Sequence, residues 1–348
     1  MSNHQCSACG SYLFLESLTC PQCASMIGFH FPSRSFHVLD DGAGTAIQIH
    51  GRTWRSCSNR GWECNWLVAE DAESATCFSC RLTRRRPAWN DTLALEKLAQ
   101  TAVAKRRLLV QLSDLGMPIT PYYEQDGGLA FDLVSSRSSG EPVMIGHANG
   151  VITIDLAEAL DAHREQLRVQ LGEAYRTMLG HLRHEVGHYY QGVLIRTDEE
   201  WASCRALFGD ERASYQDALN RHYHTGAPRG WEADFISEYA TMHPWEDFAE
   251  CFAHYLHITG ALGTSARAGM VLHRDRSLGI LPRDVIPAVS YADRDVSVLL
   301  DDWYLLSQFF NQVNRSMGQR DLYPFHITEP VARKLGYIHR LITGRTES

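Results

Sequence analysis

His184-Glu185-Val186-Gly187-His188 sets two histidines four residues apart, with a glutamate beside the first. On a helix, positions four apart share a face, so both imidazoles can reach one metal ion. The adjacent carboxylate can then serve a metal-bound water as general base. The surroundings read as helix, because Tyr175, Met178, Leu179, Leu182, Val186 and Tyr189 recur at threes and fours. Two ordinary histidines in a helix would fit the same short pattern. A third ligand has to decide.

Catalytic zinc takes three protein ligands and keeps a fourth position for water. A third histidine six residues past the second, with a glycine between, is excluded, because those positions hold Leu194 and Gln191. His222 and His224 are expected in a loop bounded by Gly and Pro. The better candidate is His243-Pro244-Trp245-Glu246-Asp247-Phe248-Ala249-Glu250, where Pro244 and the carboxylates after it mark a helix start. Glu246, Glu250 and His254 follow at intervals of four. Glu246 could ligate the ion while Glu250 holds the free ring nitrogen of a ligand histidine. A surface helix with acidic residues in its first turn is the competing reading. Trp245, Phe248 and Phe252 argue for burial, and buried carboxylates need partners. His243 is expected beside the site or as a helix cap, and His181 in the same cleft.

Eight of the ten cysteines precede residue 81, and the polar, cysteine-bearing N-terminus does not read as an export signal. Thiolate metal sites are therefore expected in place of disulfides. Cys6-x-x-Cys9 and Cys20-x-x-Cys23 are two knuckles that together complete a tetrahedral zinc site, with Gly10 suiting the tight turn. Cys57, Cys64, Cys77 and Cys80 form a less regular second set, with Trp54, Trp62 and Trp66 among them as core. Cys204 and Cys251 are expected to be buried thiols.

The formal net charge is -8, so bulk electrostatics does not advertise a nucleic-acid binder. Residues 1–90 carry 8 Lys/Arg and 7 Asp/Glu, out of 33 and 41 in the chain, so the acidity lies in the rest. Arg81, Arg84, Arg85 and Arg86 read as a solvated linker or a contact for an acidic partner or nucleic acid. Strands with an Asp40-Asp41-Gly42 turn are expected within Phe36–Ile49, then a helix from Asn90 or Asp91 to about Leu115. Phe131–Val134, Val143–Ile145 and Val151–Asp155 read as strands, with Asn149-Gly150 as a hairpin turn. Val151–Asp155 could be an edge strand that holds an extended peptide. Helices are then expected over Leu156–Leu171, Glu173–Gln191, Glu232–Met242 and Pro244–Ile258, and onward to the C-terminus.

His184-Glu-Val-Gly-His188 followed by Glu246-Asp-Phe-Ala-Glu250-Cys-Phe resembles the gluzincin metallopeptidases, and most nearly those of the anthrax lethal factor type. That resemblance implies zinc held by two histidines and a downstream glutamate. It also implies a tyrosine seven residues before that glutamate, which is Tyr239 here, as oxyanion donor. Over nearly its whole length the chain is similar to the bacterial zinc-binding metallopeptidases with an N-terminal zinc ribbon. The residues that carry this are Cys64-Asn-Trp66, Cys77-x-x-Cys80-Arg-Leu82, Tyr175 to Tyr190, Phe208-Gly-Asp-Glu-Arg212 and His243 to Glu250.

The expected fold is α+β: zinc-ribbon modules over 1–90, then a mainly helical gluzincin-like domain with a small sheet over 91–348. The expected function is peptide-bond hydrolysis with one catalytic and two structural zinc ions, Glu185 as base and Tyr239 as oxyanion donor. The ribbons would recruit a protein substrate or partner. A zinc-ribbon module that binds protein or nucleic acid and has a non-proteolytic metal site, or a zinc amidase or deacylase, are the alternatives. With no apolar run of eighteen residues, a soluble cytoplasmic protein is expected.

Overall fold

The computed structural model describes residues 4–39, 46–139, 143–156, 177–277, 279 and 281–344. The expected Asp40-Asp41-Gly42 turn, most of the Leu156–Leu171 helix and the start of the Glu173–Gln191 helix lie outside them. Packing divides the chain into two units, Met1–Val110 with Ile119–Leu160, and Gln111–Pro118 with Asp161–Ser348.

The described residues of the first unit form three small sheets. Strands β1 (Met26–His30) and β2 (Ser35–Leu39) form an antiparallel pair. Strands β3 (Ile47–Ile49), β4 (Arg52–Ser56) and β5 (Leu67–Ala69) form a meander. Leu39, Ile49 and Leu67 pack as a core with Trp54 against it. Trp66 is fully buried and stacks on Phe31, as a core residue should, whereas Trp62 is largely exposed. The third sheet has the order β6-β7-β9-β8, with β6 Thr83–Arg85, β7 Ala130–Val134, β8 Gly146–Ala148 and β9 Val151–Asp155.

This sheet corrects three expectations. The strand before the Asn149-Gly150 turn is Gly146–Ala148, three residues later than Val143–Ile145. The two-residue turn, with φ of 46° and 79°, sets that register, since Ala148 must pair with Val151. Strand β9 is paired on both sides, by β7 and β8, so it has no free edge to offer a peptide. The arginine run is not a linker. Arg84 and Arg85 lie in β6, and Arg84 makes a two-pronged contact with the buried Asp132 of β7.

Helix α1 (Thr92–Asp114), with Asp91 accepting from the Ala94 N–H, follows the ribbon region as the sequence predicts. Its Lys105 and Arg106 are buried and donate to the Ser79 and Glu63 carbonyls.

The second unit is helical: α2 (Met178–Leu194), α3 (Asp198–Phe208), α4 (Tyr215–Thr225), α5 (Pro244–Arg267), α6 (Val296–Ser316) and α7 (Glu329–Thr343). His222 and His224 sit on α4, not in a loop, because Ser214 caps a genuine helix start through the Asp217 N–H. The expected Glu232–Met242 helix is broken into two short 3-10 turns, Trp231–Ala233 and Tyr239–Thr241. Tertiary bonds override helical propensity there: Lys334 takes the Asp234 carbonyl, and Ser237 bonds both the Ala240 N–H and Glu250. Among the described residues no helix is long and apolar enough to cross a membrane.

Candidate metal centre

Two helices build the centre. Thr177 caps α2 by accepting from the Gly180 N–H, and α2 then presents His181, His184, Glu185 and His188 over two turns. Helix α5 begins at Pro244 with His243 as its cap and presents Glu246 and Glu250 one turn apart. The centre of α2 packs against α5, and the buried residues of both helices form the core below the site.

His184 Nε2 lies 3.2 Å from His188 Nε2 and 2.9 Å from Glu246 Oε2, while His188 Nε2 lies 3.3 Å from that same oxygen. A tetrahedral ion with bonds of 2.0–2.1 Å has ligand–ligand edges of about 3.3 Å, so the triangle has the size zinc requires. His184 Nδ1 donates to Glu250 Oε1 at 2.7 Å, which leaves its Nε2 as the lone-pair nitrogen. Glu246 Oε2 is buried and receives no well-directed hydrogen bond among the described residues. A cation is what three converging lone pairs need.

Electrostatics agrees. Burial alone would drive charge off the His184 ring, but the carboxylates of Glu246 and Glu250 outweigh it and hold its pKa well above the usual histidine range. Burial would likewise raise Glu246, yet the two histidines hold it well below an ordinary carboxylate. Burial also opposes ionisation of Glu250, and His184 brings it down to about 2. The pocket is built to hold positive charge.

Glu185 lies beside this triangle. One oxygen is 3.1 Å from His181 Nε2, and the other, Oε2, is buried without a hydrogen-bond partner among the described residues. Burial favours its neutral form, but His181 and the two other histidines shift it to the anionic side. The Tyr239 ring centroid is 5.9 Å from that of His184. Burial and the Glu246 charge push the Tyr239 hydroxyl well up, so it remains a proton donor. Both nitrogens of His243 are used structurally: Nδ1 accepts from the Trp245 N–H and Nε2 reaches the Ala213 carbonyl at 3.1 Å. His254 points away, to the Tyr323 hydroxyl at 2.8 Å.

Two neighbours escaped sequence reasoning, and a third, Trp245, is legible there only as a sign of burial. Tyr215 donates to Glu246 Oε1 at 2.9 Å, Ser237 donates to Glu250 Oε2 at 2.6 Å, and the Trp245 ring covers His188 at 4.2 Å. Only Trp245, adjacent to Glu246, left a signal in the sequence.

In the first unit the cysteines gather as two groups of four, Cys6, Cys9, Cys20, Cys23 and Cys57, Cys64, Cys77, Cys80. Sulfur separations of 3.7 and 3.5 Å in the first, and 3.6 and 3.7 Å in the second, are too long for disulfides. They match the edge of about 3.8 Å set by Zn–S bonds of about 2.3 Å. Both knuckles of the first group close with a left-handed residue, Gly10 at φ 73° and Ala24 at φ 59°. Cys9 and Cys23 are exposed, whereas Cys204 and Cys251 are buried thiols as expected.

Residues 94–341 match the family described as "Putative zinc-binding metallo-peptidase", and residues 3–91 match a zinc-ribbon domain. An uncharacterized protein of Mycobacterium tuberculosis and one of Mycobacterium bovis are each 42% identical over 351 residues, covering 98% of this chain and 95% of the relative. No solved structure matches, so the resemblance to anthrax lethal factor expected from the sequence is not shown. With that match running through both helices of the centre, the chain belongs to this zinc-binding metallopeptidase family and carries a zinc ribbon ahead of it.

Proposed function

We propose that the chain is a zinc-dependent peptidase acting on protein or peptide substrates, with a ribbon region over 1–90 and a catalytic region over 91–348. His184, His188 and Glu246 would hold the catalytic zinc, and the two cysteine sets would each hold a structural one. A bound zinc supplies Lewis acidity, acidifying water and polarising the scissile carbonyl. Glu185 takes a proton from the attacking water on its free Oε2, while His181 restrains Oε1, and passes that proton to the leaving amine. Tyr239 donates its hydroxyl to the oxyanion. Glu250, tied to Ser237, fixes the tautomer and tilt of His184.

The observation that carries this reading is the buried Oε2 of Glu185, without a hydrogen-bond partner among the described residues, beside a zinc-sized triangle of His184, His188 and Glu246. A site that only bound metal would have no use for it. Exposed Tyr12 and Phe14 on the first ribbon, in edge-to-face contact, support recruitment of a protein partner there. Thiolate sites suit a reducing compartment such as the cytoplasm.

The test is hydrolysis of a fluorogenic peptide library by the zinc-loaded chain and by Glu185→Gln. A drop of about 10²–10⁴-fold, with three zincs retained, is expected for loss of a general base. Undiminished hydrolysis by the variant would remove Glu185 from the mechanism.

A further inference from the structure

The two oxygens of Glu246 have different neighbours. Oε2 faces His184 and His188, whereas Oε1 accepts the hydroxyl of Tyr215 at 2.9 Å. A carboxylate with both oxygens free can rotate to offer either or both to a cation. Holding one with a rigid donor leaves only the other. Tyr215 is itself held: it is the first residue of α4, directly after the capping Ser214, and its ring lies 5.3 Å from His243 and 6.0 Å from Trp245. Arg221, on the same helix, donates to the Met242 carbonyl just before the start of α5. The first two turns of α4 and the start of α5 are thus stitched together around Glu246.

We propose that Tyr215 is a positioning residue of the metal centre, its hydroxyl restraining Glu246 so that Oε2 alone is presented to the histidine pair. This rests on the reading of His184, His188 and Glu246 as the zinc ligands. Tyr215 does not touch the reacting atoms; it acts through Glu246. The same hydroxyl neighbours that of Tyr239, so one side chain lies next to both the ligand and the oxyanion donor.

The experiment measures zinc affinity by chelator competition on the full-length chain, for wild type, Tyr215→Phe and Glu246→Ala, with helical circular dichroism alongside. Phe keeps the ring and its packing and removes only the donor. For Tyr215→Phe, affinity at one of the three zincs should fall about 10–100-fold, the usual loss when a ligand's orienting partner is removed. The two ribbon zincs and the helical signal should not change. Wild-type affinity in Tyr215→Phe, with zinc released from Glu246→Ala, would overturn the Tyr215 proposal and leave the site standing. Zinc retained in Glu246→Ala would overturn the site and the proposal together. A Phe variant that loses helical signal or ribbon zinc would assign the hydroxyl to folding and overturn it as well.

Discussion

Gly187 and Ala249 meet backbone to backbone where α2 packs against α5: a Cβ on Gly187 would lie 2.9 Å from Ala249 Cα and 3.1 Å from its carbonyl oxygen. The glycine inside His184-Glu-Val-Gly-His188 is therefore a packing residue. It brings the helix that carries His184 and His188 against the helix that carries Glu246.

Gly187→Ala would gain helix propensity but force the backbones apart, because what the new methyl meets is main chain and cannot rotate away. A net destabilisation of about 1–2 kcal/mol is expected, with overpacking exceeding the propensity gain. Zinc affinity at the centre should fall too, since the shift falls between His188 and Glu246. Thermal melting and chelator competition read the two effects, and a variant more stable than wild type would mean the helices are not in contact there.

Asp247 and Lys334 form a buried pair, with 2.6 Å from Nζ to Oδ2, and Lys334 also donates to the Asp234 carbonyl. Lys334→Met leaves the carboxylate buried alone, at an expected cost of about 3–5 kcal/mol. Burial already pushes Asp247 up to about 6 against the pull of Lys334. A raised folded-state pKa means that the stability contribution is present at low pH and lost as pH rises through that value. The Lys334→Met deficit should therefore be larger at pH 8 than at pH 5, to be read from urea midpoints. A deficit independent of pH would remove the unpaired carboxylate as its cause.

His30, on β1, is buried beside Trp54, bonded to Ser33 through Nδ1 and without a hydrogen-bond partner at Nε2 among the described residues. Burial, with His37 and His50 nearby, lowers its pKa from 6.5 to about 4. A depressed folded-state pKa contributes stability above the unfolded value of 6.5, and that contribution is lost as pH falls through about 4. His30→Gln cannot take up the proton. Its melting temperature should rise relative to wild type across that window, while acid effects on the zinc sites, common to both proteins, cancel. A constant offset between the two curves would contradict the expectation.

What the sequence determined by itself was local. Spacing of four on a helix aligns His184 with His188 and Glu246 with Glu250, and knuckle spacing brings Cys6 to Cys9 and Cys20 to Cys23, because both geometries close within a few residues. The Pro244 helix start and the Asn149-Gly150 turn were legible for the same reason. Tertiary structure decided the rest. Tyr215 reaches Glu246 across 31 residues and Lys334 reaches Asp247 across 87, separations at which spacing carries no information. The segment 232–242 has helix-forming residues but spends its polar groups on Lys334 and Glu250, contacts that exist only after α5 and α7 have packed. Strand β9 alternates like an edge strand, and only the pairing of β7 and β8 on its two sides made it an interior one. Side-chain periodicity reports which face of an element is buried, but backbone hydrogen bonding decides which strand lies at an edge.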